Sequence, residues 1–226
     1  MNSWGPEWGE NGIGWVRYAD FKEFVREAYG IDPLPQQGAA LQQAFDCEIG
    51  LVQVDEKAKP AGYIPLRNAG SNVFASNTIA KGSRFKVEVK NSTECYVYVF
   101  GQEVDGSSYT LFPYPTKEDA TKTAYTAYCG ITGYRLFPKN KSMMPDSIGT
   151  KDYIAVVVSK EELPWYELNQ NISTPGSNYA SNVSNALRSY GSASLQVSST
   201  GNGNLRFTAA AGAKGVSYAI VEINKK

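Results

Sequence analysis

The segment from residue 83 to residue 113 constrains the fold more than any other stretch of the sequence. Polar and apolar residues alternate over 84–89, which predicts a strand with one face on a core and one face in water. The next run, residues 95–100, is apolar on both faces, so it needs neighbouring strands and cover above and below. Residues 109–112 return after the turn signal Asp105-Gly106. We predict a three-stranded meander with residues 95–100 as its central strand.

Apolar runs predict further strands before and after this meander. They lie at residues 45–54, 62–66, 134–138 and 152–158, and three more close the chain at 194–198, 204–209 and 216–223. Apolar residues at helical spacing predict two helices, a short one after a capping box of Ser159 and Glu162 and a second one over 179–190. The expected fold class is mainly β (α+β): an antiparallel β-sandwich-like domain with two C-terminal helices and an N-terminal strand–helix appendage.

The overall charge is balanced, with 22 Lys and Arg against 22 Asp and Glu. A chain without net charge has no general attraction to nucleic acid or to acidic membranes, so neither is an expected partner. No stretch approaches the roughly 20 apolar residues of a transmembrane segment. The first residues have neither a basic region nor an apolar core, so no signal peptide is predicted in this chain. The compartment stays open between the cytosol and export of a longer parent to the periplasm or cell surface.

The absence of histidine is the most restrictive count for function. It excludes histidine as a general base, Ser-His and Cys-His nucleophile pairs, and most zinc sites. The three cysteines, Cys47, Cys95 and Cys129, are widely spaced and form no CxxC motif, and at least one of them is unpaired within the chain. We expect them to be small buried residues in strands, and we predict no cofactor or metal.

The first twelve residues contain an unusual cluster of tryptophan and glycine, Asn2-Ser3-Trp4-Gly5 followed by Trp8-Gly9-Glu10-Asn11-Gly12. This pattern resembles the segment near the C-terminal end of papain-like cysteine peptidases. The resemblance implies that Asn2 orients a catalytic histidine and that Trp4 shields their hydrogen bond from water. In that family the nucleophilic cysteine, the oxyanion glutamine and the histidine all precede the motif, whereas here only Met1 precedes it. The catalytic site is therefore expected to be incomplete.

We expect three parts in the chain. The resemblance implies that residues 1–30 are the C-terminal remnant of a papain-like peptidase domain. Residues 31–43, with two prolines and no apolar period, are predicted to be a linker, and residues 44–226 a β-rich domain. Residues 45–165 resemble a bacterial domain of unknown function that is found appended to peptidase, caspase-like and kinase modules. The similarity is carried by residues 82–87, 95–100, 111–113 and 149–153. It implies a β-sandwich-like module without a known reaction.

Tyrosine is abundant, with 15 residues. An exposed tyrosine presents an apolar ring and a hydroxyl group, which suits the recognition of proteins or sugars. Tyr125, Tyr128 and Tyr134 surround Cys129 and are the candidates for an exposed binding patch. The alternative is that the tyrosines line the second face of the sheet.

Three functional hypotheses follow from these patterns. In the first, the chain is the catalytically incomplete C-terminal portion of a papain-like cysteine peptidase with a non-catalytic β-rich accessory domain. That domain would bind a partner, present substrate or hold the protease, and the expected partner is a protein or peptide. In the second, it is half of a peptidase active site, completed by an upstream chain whose histidine Asn2 orients. In the third, it is a free-standing periplasmic or extracellular ligand-binding protein. Under the first hypothesis the chain itself is not an enzyme, because it has no histidine and no cysteine before the motif.

Overall fold

The computed structural model describes seven stretches of the chain: residues 45–123, 125–130, 133–138, 141–173, 178–190, 196–209 and 215–226, without the side chains of residues 133 and 134. The chain divides into two compact units, Met1–Leu41 and Gln42–Lys226, and all described residues belong to the second unit. The N-terminal strand–helix appendage and the linker that the sequence predicts lie outside the described residues.

The described part of the chain is mainly β, with thirteen strands and two short helices. The strands are β1 (Phe45–Val54), β2 (Pro60–Ile64), β3 (Leu66–Gly70), β4 (Val73–Ser76), β5 (Arg84–Asn91), β6 (Cys95–Gln102), β7 (Ser108–Phe112), β8 (Tyr128–Cys129), β9 (Gly133–Phe137), β10 (Lys151–Ser159), β11 (Gln196–Ser199), β12 (Leu205–Ala209) and β13 (Val216–Asn224). The helices are α1 (Trp165–Ile172) and α2 (Tyr179–Leu187), and a 3-10 turn, Arg188–Tyr190, follows α2. Within these stretches, neither helix is long and apolar enough to cross a membrane.

The strands form two sheets. In the first sheet the order is β11-β12-β1-β5-β9, and β2 pairs with the second half of β1. In the second sheet the order is β3-β4-β13-β10-β6-β7, and β8 pairs with the beginning of β6. Strands β4 and β13 run parallel, and all other pairs among the described strands are antiparallel.

One hydrophobic core fills the space between the two sheets. The apolar residues of β5 point into it, and so does one face of β6, as their period of two predicts. The rings of Phe112 and Phe137, one from each sheet, stack in this core with their centroids 4.4 Å apart. Its largest fully buried side chains are Phe45, Ile49, Leu51, Leu66, Phe74, Leu205 and Phe207. The two sheets therefore pack face to face.

A second core lies on the opposite face of the second sheet, beneath the helices. Tyr98 and Phe100 of β6 point into it, together with Leu168 of α1 and Val183 of α2. The hydroxyl of Tyr98 accepts a hydrogen bond of 2.7 Å from the backbone N–H of Leu163, just before α1. Strand β6 is apolar on both faces because one face contacts the first sheet and the other contacts the helices.

The predicted three-stranded meander is wrong, because its first strand, β5, does not pair with β6. Strand β5 lies in the first sheet between β1 and β9, whereas β6 and β7 form a hairpin in the second sheet. The chain crosses between the sheets over residues 92–94. Asn91 holds this crossing, since its side-chain amide donates to the carbonyl oxygens of Thr93, Cys129 and Gly130 at 2.9, 3.2 and 2.7 Å. An alternating strand can pair with any neighbour whose core face matches its own, so periodicity does not specify the partner.

The start of α1 also differs from the prediction. Ser159 ends strand β10, and its hydroxyl accepts a hydrogen bond of 3.2 Å from the backbone N–H of Glu161. The helix begins at Trp165, after Pro164, without a side-chain cap. The capping box of Ser159 and Glu162 is therefore wrong, because a turn separates the strand from the helix.

Candidate functional site

Strand β8 brings predicted tyrosines and cysteines to one place. Its two residues, Tyr128 and Cys129, lie directly opposite Tyr96 and Cys95 of β6. Successive side chains of a strand point to opposite faces. Cys95 and Cys129 belong to the core between the sheets, while Tyr96 packs against the core on the helix side. The rings of Tyr96 and Tyr128 meet edge to face, with their centroids 5.5 Å apart.

The three tyrosines that the sequence singles out lie on two different parts of the structure. Tyr125 is 46% exposed, and Tyr128, three residues further on, is half-buried. Tyr134 lies in β9 of the first sheet, where its backbone is opposite Lys90, and its side chain is not described. The structure thus brings Tyr125 and Tyr128 onto one segment and places Tyr134 on a strand of the other sheet.

Tyr114 lies at the start of the loop that leads to Tyr125, and the sequence patterns did not single it out. Pro115 forms an isolated antiparallel bridge with Thr123, which closes the base of the intervening loop. Tyr114 and Tyr125 lie at the two ends of this loop, and Tyr114 is 49% exposed. No local pattern distinguishes Tyr114 from other loop tyrosines, because its position depends on how the loop closes. We call Tyr96, Tyr114, Tyr125 and Tyr128 the tyrosine surface.

The hydroxyl of Tyr128 is neutral at physiological pH. A hydrogen bond with Glu94, followed by burial, raises the pKa of Tyr128 to about 12. The backbone of the same residue is held by Arg135, whose Nη1 donates to the carbonyl oxygen of Tyr128 at 2.9 Å. A neutral phenol can donate or accept hydrogen bonds and offer its ring for contact, but it does not serve as a base. Tyr128 therefore offers the tyrosine surface a ring for contact and a hydroxyl group for hydrogen bonding.

The three thiols are enclosed in the core. Cys47, Cys95 and Cys129 are free and are each no more than 1% exposed, as expected for small buried residues in strands. The hydrogen bond with Cys129 lowers the pKa of Cys95, but the hydrogen bond with Cys47 and burial outweigh it, so this pKa is raised overall. The hydrogen bond with Cys95 and burial both raise the pKa of Cys129. A buried, protonated thiol is a poor nucleophile.

A polar cluster on the outer face of the first sheet was not predicted from the sequence. The hydroxyl of Tyr63 donates to Glu88 at 2.8 Å and accepts from Lys90 at 2.6 Å, and Lys90 also pairs with Glu88 at 2.8 Å. The hydrogen bonds with Glu88 and then Tyr63 raise the pKa of Lys90. Alternation along β5 indicates that Glu88 and Lys90 point outward, but nothing local indicates Tyr63. Because the two charges neutralise each other, the cluster serves mainly to link β2 to β5 across the intervening strand β1.

Asn2 and Trp4, which the peptidase resemblance singles out, lie outside the described residues. In the part of the chain that the structure describes, no group of three or more His, Cys, Asp or Glu residues could hold a metal ion. Comparison of the chain with protein-family models, with curated proteins and with solved structures found no match. Among the described residues, the candidate features are the tyrosine surface and the enclosed thiols.

Proposed function

We propose that the chain is the catalytically incomplete C-terminal portion of a papain-like cysteine peptidase, and that its β-sandwich-like domain is a non-catalytic accessory domain that binds polypeptide. The observation that carries the proposal is the position of the cysteines: all three in the chain are buried between the two sheets. A cysteine peptidase needs an accessible thiolate beside a base. These thiols are enclosed, and the chain has no histidine.

The tyrosine surface supports the binding half of the proposal. Tyr114 and Tyr125 each expose nearly half of their surface at the base of one loop. A tyrosine ring covers a large contact area at a small cost in conformational entropy, and its hydroxyl adds a hydrogen-bonding group. An extended polypeptide offers both apolar side chains and backbone amides to such a surface. The ligand class is therefore unfolded polypeptide, the substrate class of a peptidase.

Denatured casein with a fluorescent label tests both halves of the proposal in one experiment. The purified full chain is expected to raise the fluorescence anisotropy of casein without thiol-dependent cleavage. The double variant Tyr114→Ala/Tyr125→Ala is expected to weaken binding about tenfold, since loss of central aromatic contacts typically costs more than 1 kcal/mol. Tyr63→Ala removes an exposed tyrosine on the outer face of the first sheet and is the matched control, with affinity unchanged.

The two halves of the proposal fail separately. Cleavage of casein that disappears in Cys47→Ser, Cys95→Ser or Cys129→Ser would contradict the non-catalytic assignment. Unchanged affinity in the double tyrosine variant, or an equal loss of affinity in Tyr63→Ala, would contradict the tyrosine surface as the binding site.

A further inference from the structure

We propose that Cys95 and Cys129 form a disulfide bond when the chain folds in the presence of an oxidant, and that this bond fixes strand β8 to the second sheet. The two residues lie directly opposite each other on antiparallel strands. Opposed residues in such a pair have Cα atoms about 4.5–5.5 Å apart, and a disulfide usually spans about 4.4–6.8 Å between Cα atoms. Both side chains point into the same core, as a disulfide also requires.

All three cysteines belong to the core between the two sheets, so Cys95 has two candidate partners, Cys129 and Cys47. Cys129 shares a strand pair with Cys95, whereas Cys47 lies on β1 in the facing sheet. The backbones of facing sheets lie about 10 Å apart, which exceeds the separation of about 4.4–6.8 Å between Cα atoms that a disulfide usually spans. The register therefore favours Cys129 and leaves Cys47 as the single thiol.

Oxidised glutathione, a small-molecule disulfide, is a sufficient oxidant. The thiolate of one cysteine attacks it, forms a mixed disulfide and releases one glutathione thiolate. The thiolate of the second cysteine attacks the mixed disulfide, forms the bond between Cys95 and Cys129, and releases the second glutathione. Two protein thiols are oxidised, one glutathione disulfide is reduced, and the two protons of the protein thiols end on the two glutathione thiols.

The reaction belongs to folding, before β8 docks onto β6. In the folded domain Cys95 and Cys129 are 1% and 0% exposed, so a reagent of the size of glutathione does not reach them. Because β8 consists of two residues, few backbone hydrogen bonds hold it to β6. A covalent bond would therefore add proportionately more to the stability of this strand pair. The neighbouring residue is Tyr128, so the bond also steadies the tyrosine surface. The inference rests on the thiols alone and does not depend on the proposed binding function.

Refolding of the full chain from denaturant in reduced and oxidised glutathione tests the inference. Free thiols are then alkylated with N-ethylmaleimide, and the chain is digested with trypsin, which separates the three cysteines because lysines lie between them. Mass spectrometry is expected to find one pair of peptides joined through Cys95 and Cys129, with Cys47 alkylated. A pair joined through Cys47, or three alkylated cysteines in refolded chain of native β content, would overturn the inference.

Two serine variants provide the matched comparison. Cys47→Ser is expected to keep the bond and, when oxidised, to unfold roughly 10 °C above its reduced form, as closure of a loop of this kind predicts. Cys129→Ser is expected to have the same unfolding temperature under both conditions. An unfolding temperature of Cys47→Ser that does not change with oxidation would contradict the inference. If Cys129→Ser does not fold, the peptide pairing in the unaltered chain decides the question.

Discussion

Gly50 lies in the middle of β1, beneath the side chain of Asn204. A Cβ atom at Gly50 would lie 2.5 Å from Oδ1 of Asn204, far inside van der Waals contact. The amide cannot move away freely, because Asn204 is fully buried and its Nδ2 donates to Glu48 at 2.6 Å. We expect Gly50→Ala to lower the free energy of unfolding by about 1–3 kcal/mol, the usual cost of overpacking. Chemical denaturation measures it.

A double-mutant cycle identifies the cause of that loss. Asn204→Ala removes the obstructing amide, so Gly50→Ala is expected to cost less in the Asn204→Ala background than in the original chain. Gly201→Ala is the matched control: no atom lies within 4 Å of its Cβ position, so its stability should change by no more than about 0.5 kcal/mol. A Gly50→Ala variant as stable as the original chain would mean that Asn204 gives way without cost.

Burial of single residues could be predicted from the sequence, but their contacts could not. Cys95 was expected to be buried because it lies in an apolar run, and it is. The covering of Gly50 by Asn204 brings together residues that are far apart in the sequence, and it depends on the pairing of β1 with β12. Likewise, the alternation that places Glu88 on the outer face carries no information about Tyr63, which reaches it from another strand.

At the scale of elements, Asn91 joins the strands where the chain crosses from β5 to β6. Its amide donates to three carbonyl oxygens, two of them at the end of β8. Asn91→Ala leaves these oxygens without that donor and is expected to lower the free energy of unfolding by about 1–3 kcal/mol. It should also speed amide hydrogen exchange at Val97, which donates to Ala127 at 3.0 Å beside β8.

The amides between β10 and β13 are the internal control, since this pair lies in the middle of the second sheet. Under conditions where local opening dominates exchange, their rates should stay unchanged in Asn91→Ala. Equal acceleration at Val97 and in the β10–β13 pair would indicate a global loss of stability, with no specific loosening of β8.

The extent of strands could be predicted better than their partners. Strands β1 and β10 begin and end within one residue of the predicted bounds, because each is a long apolar or β-branched run. The alternation of apolar and polar residues identifies the face of a strand that meets the core. Every strand on the core has this alternation, so it does not identify the neighbouring strand. The pairing of β5 with β1, and the parallel pairing of β4 with β13, join segments that are distant in sequence. Such pairings are decided by the packing of the whole domain.

At the scale of the whole molecule, strands from the beginning and from the end of the β-rich domain lie side by side in the same sheets. Strand β12, near the end, pairs with β1 in the first sheet, and β13 lies between β4 and β10 in the second sheet. Among the described residues, the two hydrophobic cores extend from Phe45 to Ile223. The sequence predicts a boundary in the same place, since residues 31–43 have the composition of a linker.

We therefore expect the fragment Gln42–Lys226 to fold without the first compact unit. Its circular dichroism should show a β-rich domain, and it should unfold in one cooperative transition within a few degrees of the transition of the full chain. The matched control is a fragment that ends at Tyr190, which lacks β11, β12 and β13. It should not fold, because β13 occupies the middle of the second sheet and contributes Val221 and Ile223 to the core. An unfolded Gln42–Lys226 fragment would mean that the preceding residues supply part of the stability, and that the predicted boundary is wrong.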